Sequence, residues 1–173
     1  MKNLLKRKIS MKTEKNDILT FLLWANFAAF AMHIMDETLM GGGFVPFIQR
    51  HFWNGFAWTD FFTANAVWFI LIGVSNLLYD LLGNRFALIP AIPLAFLWER
   101  VFNAFFHIGT TFCFKEYSPG LVTSVLFFVI LYLVGRFVVL RGHISWSLFF
   151  VSSIPALIFE TVFISSMWWA HKI

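Results

Sequence analysis

The chain has 173 residues, of which 60% are hydrophobic and 13% charged, with 24 phenylalanines and a formal net charge of +4; its mean hydropathy is +0.76. That is more apolar side chain than a water-soluble core of this size encloses, so the class read from composition is an integral membrane protein. The positive charge excludes a nucleic-acid groove, because Lys2, Lys6, Arg7, Lys8, Lys12 and Lys15 crowd the N-terminus against one acid, Glu14, as in a tail drawn to anionic lipid.

Apolar runs of roughly 20 residues meet the length that a helix needs to cross a bilayer. They do not alternate polar with apolar, as barrel strands would. Five spans are predicted, at 17–40, 61–82, 86–112, 119–140 and 145–170. The expected fold is therefore all-α, a polytopic membrane helix bundle with residues 1–16 as a basic cytoplasmic tail and 17–173 as a single transmembrane domain. A cleavable leader fits less well, because the first apolar run is too long and no small-x-small site follows it. Gly83-Asn84-Arg85 should be a tight turn between the second and third spans. Pro119 and Gly120 suit the start of the fourth, while Pro90, Pro93 and Pro155 fall inside spans and should bend them.

A cytoplasmic N-terminus puts the six tail cations with Arg85, Arg136 and Arg141 on one side, against Arg50, Lys115 and Lys172 on the other. This is the positive-inside pattern, and it leaves the C-terminus outside. Trp53, Trp58, Trp168 and Trp169 then fall near the outer interface and Trp146 near the inner one. Cys113 is the single cysteine, so neither an internal disulfide nor a thiolate metal cluster can form.

Polar residues inside such spans are costly and need a reason. His33, Asp36 and Glu37 stand at i, i+3 and i+4, on one helical face. Glu99, Asn103 and His107 form a second stripe at i, i+4 and i+8. Helix rise puts both sets, with Asn65 and Glu160, about 20–33 Å from the cytoplasmic end. The agreement in depth suggests one shared site, in which His33 and Glu37 face His107. Each residue has a plainer reading. The histidines could be structural, Asp36 and Glu37 helix-end carboxylates, Asn65 and Asn103 interhelical hydrogen-bond donors, and Glu99 or Arg100 half of an ion pair. Glu160 could be a contributor to the site or the partner of Arg100. His51 and His171 carry no assigned role, and Asp80, Asn84 and Arg85 read as caps and interface residues.

The spacing His33-x-x-Asp36-Glu37, then Gly41-Gly42-Gly43-Phe44-Val45-Pro46, Asn103-x-x-x-His107 and Tyr117-Ser118-Pro119-Gly120 resembles the bacterial HXXEE-domain membrane family. That family is named for a His-x-x-Glu-Glu motif and also carries a second histidine and a Tyr-x-Pro-Gly motif. Asp36 stands where the pattern has its first glutamate, which keeps a carboxylate and shortens its reach. The resemblance implies His33, Asp36, Glu37, His107 and Tyr117 as site residues and no particular reaction.

The preferred expectation is a membrane-embedded enzyme of the cell membrane, multi-pass, acting on a lipid-like or small apolar substrate in the outer leaflet. His33, Glu37 and His107 would hold a divalent metal, Zn, Fe or Mn, and water would be the nucleophile. Glu99 or Asp36 would act as general base or orient a ligand, and Tyr117 would donate a proton or pin its loop. Asn65, Asn103, Arg100 and Glu160 would line the site. Three alternatives are a metal-free acid/base isomerase-like enzyme, a small transporter or proton-relaying permease, and a structural membrane subunit. The expected partners are the bilayer and a lipid-like substrate, with no nucleic acid; the sequence leaves the oligomeric state open.

Overall fold

Uninterrupted apolar runs build the long helices, and among the described residues of the computed structural model four helical segments are long and apolar enough to cross a membrane: Ile18–Leu39, Trp58–Leu82, Leu121–Val139 and Trp146–Trp169. The structure describes residues 2–83 and 85–170, with side chains described from 18 to 83 and from 85 to 169. Seven α-helices follow in order: α1 (Lys2–Leu39), α2 (Phe44–His51), α3 (Trp58–Leu82), α4 (Ala91–Phe114), α5 (Leu121–Val134), α6 (Trp146–Val151) and α7 (Ser153–Ala170). A π-helical turn, Gly135–Val139, extends α5. No strand occurs among the described residues.

Of the five predicted spans, the one corresponding to α4 is not among the four apolar segments. Glu99, Arg100, Asn103, His107 and Thr110 dilute its hydropathy, and all five are buried. The helix tolerates them because α1, α3, α5 and α7 surround it. The bundle is thus apolar outside and polar within: Phe21, Leu39, Leu81, Leu88 and Phe112 face outward, whereas His33, Glu37, Glu99 and His107 are enclosed. Lipid as the surrounding solvent accounts for this distribution.

The prolines are a correction to the predicted bends. Pro90 precedes the first residue of α4 and Pro93 lies in its first turn, while Pro155 lies in the first turn of α7, after a break at Ser152. At these positions the missing N–H has no helical partner to lose, so proline starts each helix instead of bending it. For the same reason α4 begins at Ala91, not at 86, and the α3–α4 connection is longer than a three-residue turn; Asn84 and His171 lie outside the described residues.

Helix α2 is absent from the predicted elements. Gly41, Gly42 and Gly43 have φ of +60°, +82° and +91°, a left-handed path that glycine follows without strain and that turns the chain back over the bundle. Phe44, Val45, Phe47 and Ile48 are then buried with Phe52, Phe56, Phe61, Phe106 and Met167 in an aromatic layer. A second apolar layer around Leu23, Phe30, Ile72, Leu97 and Val134 occupies the other part of the bundle. Ile34, one residue from His33, packs against both, so the polar groups form a stratum between two apolar ones.

Candidate metal centre

Helical spacing brings the first two groups together: Glu37 lies one turn beyond His33 on α1, with its Oε1 3.5 Å from His33 Nε2. Helix α4 supplies the third, His107, whose Nε2 is 3.4 Å from the same Glu37 oxygen. The two imidazole rings meet edge to face with centroids 5.0 Å apart. All three side chains are buried, and one ligand atom from each lies within 4.8 Å of the others. The expectation that His33 and Glu37 face His107 is met.

The first turn of α5 and the loop before it hold these rings in place. Asp36 accepts three hydrogen bonds: from Tyr117 Oη at 2.8 Å, from Thr123 N at 3.0 Å and from Thr123 Oγ1 at 2.9 Å. The Thr123 hydroxyl also lies 3.2 Å from Gly120 O and 2.9 Å from His33 Nδ1, so it ties Asp36 to the imidazole. The other ring nitrogen, Nε2, faces Glu37. That nitrogen also lies 3.1 Å from Asn103 Oδ1, a second acceptor. On the other ring, His107 Nδ1 is 3.0 Å from Ser118 Oγ, and its Nε2 is buried with no hydrogen-bond partner.

Two imidazole nitrogens, a carboxylate oxygen and an amide oxygen thus converge, a set that suits a cation, whether a proton or a metal ion. Metal bonds of about 2.0–2.1 Å in a tetrahedral set would put ligand atoms roughly 3.3 Å apart, close to the two His–Glu separations of 3.5 and 3.4 Å. Two imidazoles, one carboxylate and an amide oxygen suit Zn, Fe or Mn, and the carboxylate–hydroxyl–imidazole relay is the usual outer support of a ligating histidine.

Gly120 covers the cluster with bare backbone. Its φ is +100°, and a Cβ there would stand 2.7 Å from His33 Cε1, 2.8 Å from His107 Cε1 and 2.9 Å from His107 Nε2. Gly41 makes similar room for the Tyr117 ring, which a Cβ would approach to 2.4 Å. Burial and the bond to Asp36 push the Tyr117 hydroxyl up to about 12, so it stays protonated at neutral pH and pins its loop to α1.

The remaining predicted residues gather beside this cluster. Both Glu99 carboxylate oxygens are engaged by the forked guanidinium of Arg100, which also lies 4.4 Å from the centre of the Phe30 ring. The ion pair foreseen for either residue is therefore between these chain neighbours and not with another helix. Asn65 donates to Phe61 O at 3.0 Å within its own helix, whereas Asn103 links α4 to α1 through His33. Glu160 is 4% exposed, and neither of its carboxylate oxygens has a hydrogen-bond partner. A cavity of about 70 Å³ joins these groups to Glu37 and to the aromatic residues of α3 and α7.

Away from the cluster, His51 donates to Glu116 at 2.9 Å and Arg50 also pairs with it. Asp80 accepts from Trp24 Nε1 at 2.9 Å, tying α3 to α1. Thr123 and Ser118 have no individual role in the sequence reading, and Gly120 has only that of a helix start. Their one signal is position, within or just after the Tyr117-Ser118-Pro119-Gly120 motif.

A family model described as "Protein of unknown function with HXXEE motif" matches residues 24–135. The chain belongs to this family. No curated protein and no solved structure matches the chain. The HXXEE region contains the whole His33, Glu37 and His107 cluster with its Asp36, Tyr117 and Thr123 supports, whereas Glu160 lies outside it.

Proposed function

We propose that this HXXEE protein is a multi-pass cell-membrane enzyme that uses a divalent metal at His33, Glu37 and His107 to act on a lipid-like or small apolar substrate. The observation that carries the reading is the convergence of three buried ligand atoms within 4.8 Å, one of them an imidazole nitrogen with no partner. Such a metal supplies Lewis acidity toward a carbonyl, phosphoryl or water oxygen in a dry site. The chain's own groups divide the remaining work. Thr123 and Ser118 orient the imidazoles, Asp36 anchors Thr123, and Tyr117 closes the loop over Asp36. Glu37 shares an oxygen with both rings and is the group placed to take up a proton at the cluster. Glu99, held by Arg100, is a wall of the cavity in this reading and not a base. The positive-inside distribution supports an N-terminus in the cytoplasm and, with it, a site in the outer half of the bilayer.

Metal analysis of protein purified without chelator tests this, with about one ion per chain expected. The reading fails if the wild type holds under a tenth of an ion per chain and His33→Ala leaves that content unchanged. The contact of Asn103 Oδ1 with the ligating nitrogen of His33, 3.1 Å, favours one second reading, a metal-free acid/base enzyme in which a shared proton replaces the ion. Activity that survives a strong chelator would select it.

A further inference from the structure

The bare carboxylate of Glu160 has no task in the chemistry above. It is buried at 4% exposure, lacks any donor on either oxygen and lines the cavity together with Glu37, Glu99, Arg100, Asn65 and Asn103. The charges there do not cancel. Arg100 is committed to Glu99 through a two-nitrogen fork and Glu37 faces the two imidazoles, which leaves Glu160 as the acid whose oxygens have no hydrogen-bond partner. Asn65 donates one amide N–H to Phe61 O and lines the same space, which leaves its carbonyl oxygen free to accept. A buried acid with no donor is expensive to ionise, and a ligand carrying hydrogen-bond donors and positive charge would relieve the cost.

The rest of the wall describes the organic part of that ligand. Trp68 of α3 meets Phe159 of α7 edge to face at 4.6 Å, and Phe159 stacks on Phe163 at 6.1 Å. Phe44, Phe56 and Phe61 complete the aromatic lining. Aromatic faces beside carboxylates bind organic ammonium groups better than hydrated metal ions, which keep their water. Ala64 and Phe159, both cavity-lining, are exposed on the outside of the bundle, so the cavity opens sideways between α3 and α7, toward lipid.

The geometry points to this cavity as the binding site for an organic ammonium, a primary amine on an alkyl chain, that enters from the bilayer. Glu160 and the Asn65 oxygen take its N–H groups, and the rings of Trp68 and Phe159 take its charge and first methylenes. The inference rests on the proposed enzyme site only in making this amine the head of the substrate presented to Glu37; binding itself requires no metal.

The test is titration of the purified full chain in detergent with n-butylammonium, n-butanol and butyrate, read by calorimetry and by the shift in thermal midpoint. Butylammonium should bind at least tenfold more tightly than butanol, and butyrate should not bind. Glu160→Gln should remove most of that preference, and Trp68→Leu should weaken butylammonium severalfold while leaving butanol nearly unchanged. Equal binding of amine and alcohol by the wild type, or no binding of either, overturns the inference, and neither result depends on a variant folding. Metal content measured on the same samples separates the two readings: absent amine binding with one ion per chain sinks only this one, and amine binding without metal sinks only the other.

Discussion

Asp36 and Glu160 are carboxylates of nearly equal burial, 6% and 4% exposed, in the same polar stratum, and their surroundings are opposite. Asp36 receives three donors from Tyr117 and Thr123; Glu160 receives none. A carboxylate saturated by the protein has nothing left to offer a ligand, so the role proposed for Asp36 is to position His33 through Thr123. A carboxylate left bare beside a cavity keeps its full capacity for a guest, at a cost to the fold. The two halves of the site therefore divide between holding geometry and receiving a ligand.

The largest test of that division is at the saturated half. Gly120→Ala adds a Cβ within 2.9 Å of both imidazoles at a φ of +100° and should cost about 3–5 kcal/mol from strain and overpacking together, measured by denaturant unfolding in detergent. Metal content should fall with it. Asp36→Ala strands the Tyr117 hydroxyl and the Thr123 amide and should cost about 2–4 kcal/mol; metal affinity should fall roughly 10- to 100-fold, as when other outer supports of ligating histidines are removed. An unchanged affinity would break the assignment of Asp36 as a positioning residue. Tyr117→Phe removes one donor of the three and should cost about 1.5–3 kcal/mol, with metal content retained.

At the bare half the sign reverses. Glu160→Gln replaces a buried acid whose oxygens have no hydrogen-bond partner with an amide that never carries charge and should stabilise the ligand-free protein by about 1–2 kcal/mol, seen as a higher thermal midpoint. A loss of stability instead would mean that Glu160 is satisfied in the folded state, and the contrast with Asp36 would vanish. The smallest effect lies outside both halves. Hydrogen bonds from His51 and Arg50 hold the Glu116 carboxyl below its usual range. A depressed folded value gives stability that is present above the unfolded carboxylate range and is lost as pH falls through the folded one. Because the pair is exposed, Glu116→Gln should remove under about 1 kcal/mol, confined to the acid limb of a stability–pH curve.

Much of the helical frame was legible because its signals are long. Runs of about 20 apolar residues mark α1, α3, α5 and the α6–α7 segment without any tertiary information. The i, i+4 spacings of His33 with Glu37 and of Asn103 with His107 put each pair on one helical face, and shared depth brought the faces together. Helix α2 was not legible, since eight residues behind three glycines carry too short a period to register. The prolines misled because a proline inside an apolar run and a proline at a helix start look alike until the boundary is known. Thr123 escaped notice because hydroxyls in membrane helices usually bond their own backbone, as Thr38 and Thr110 do here. Its relay to Asp36 and His33 exists only once α5 docks on α1.

Gly120 has a consequence for how this family can diversify. The roof over the two imidazoles is main chain, and no side chain can be placed there to alter what the cluster does. The floor, formed by Ala64, Trp68, Phe159 and Glu160, consists of side chains on two helices that no ligating residue occupies. Exchanges on that floor can change which molecule is admitted while the coordinating groups stay untouched. Under the proposed function, changes in what the cavity admits are expected on α3, inside the matched region, and on α7, beyond it, without disturbing the contacts of α1, α4 and α5.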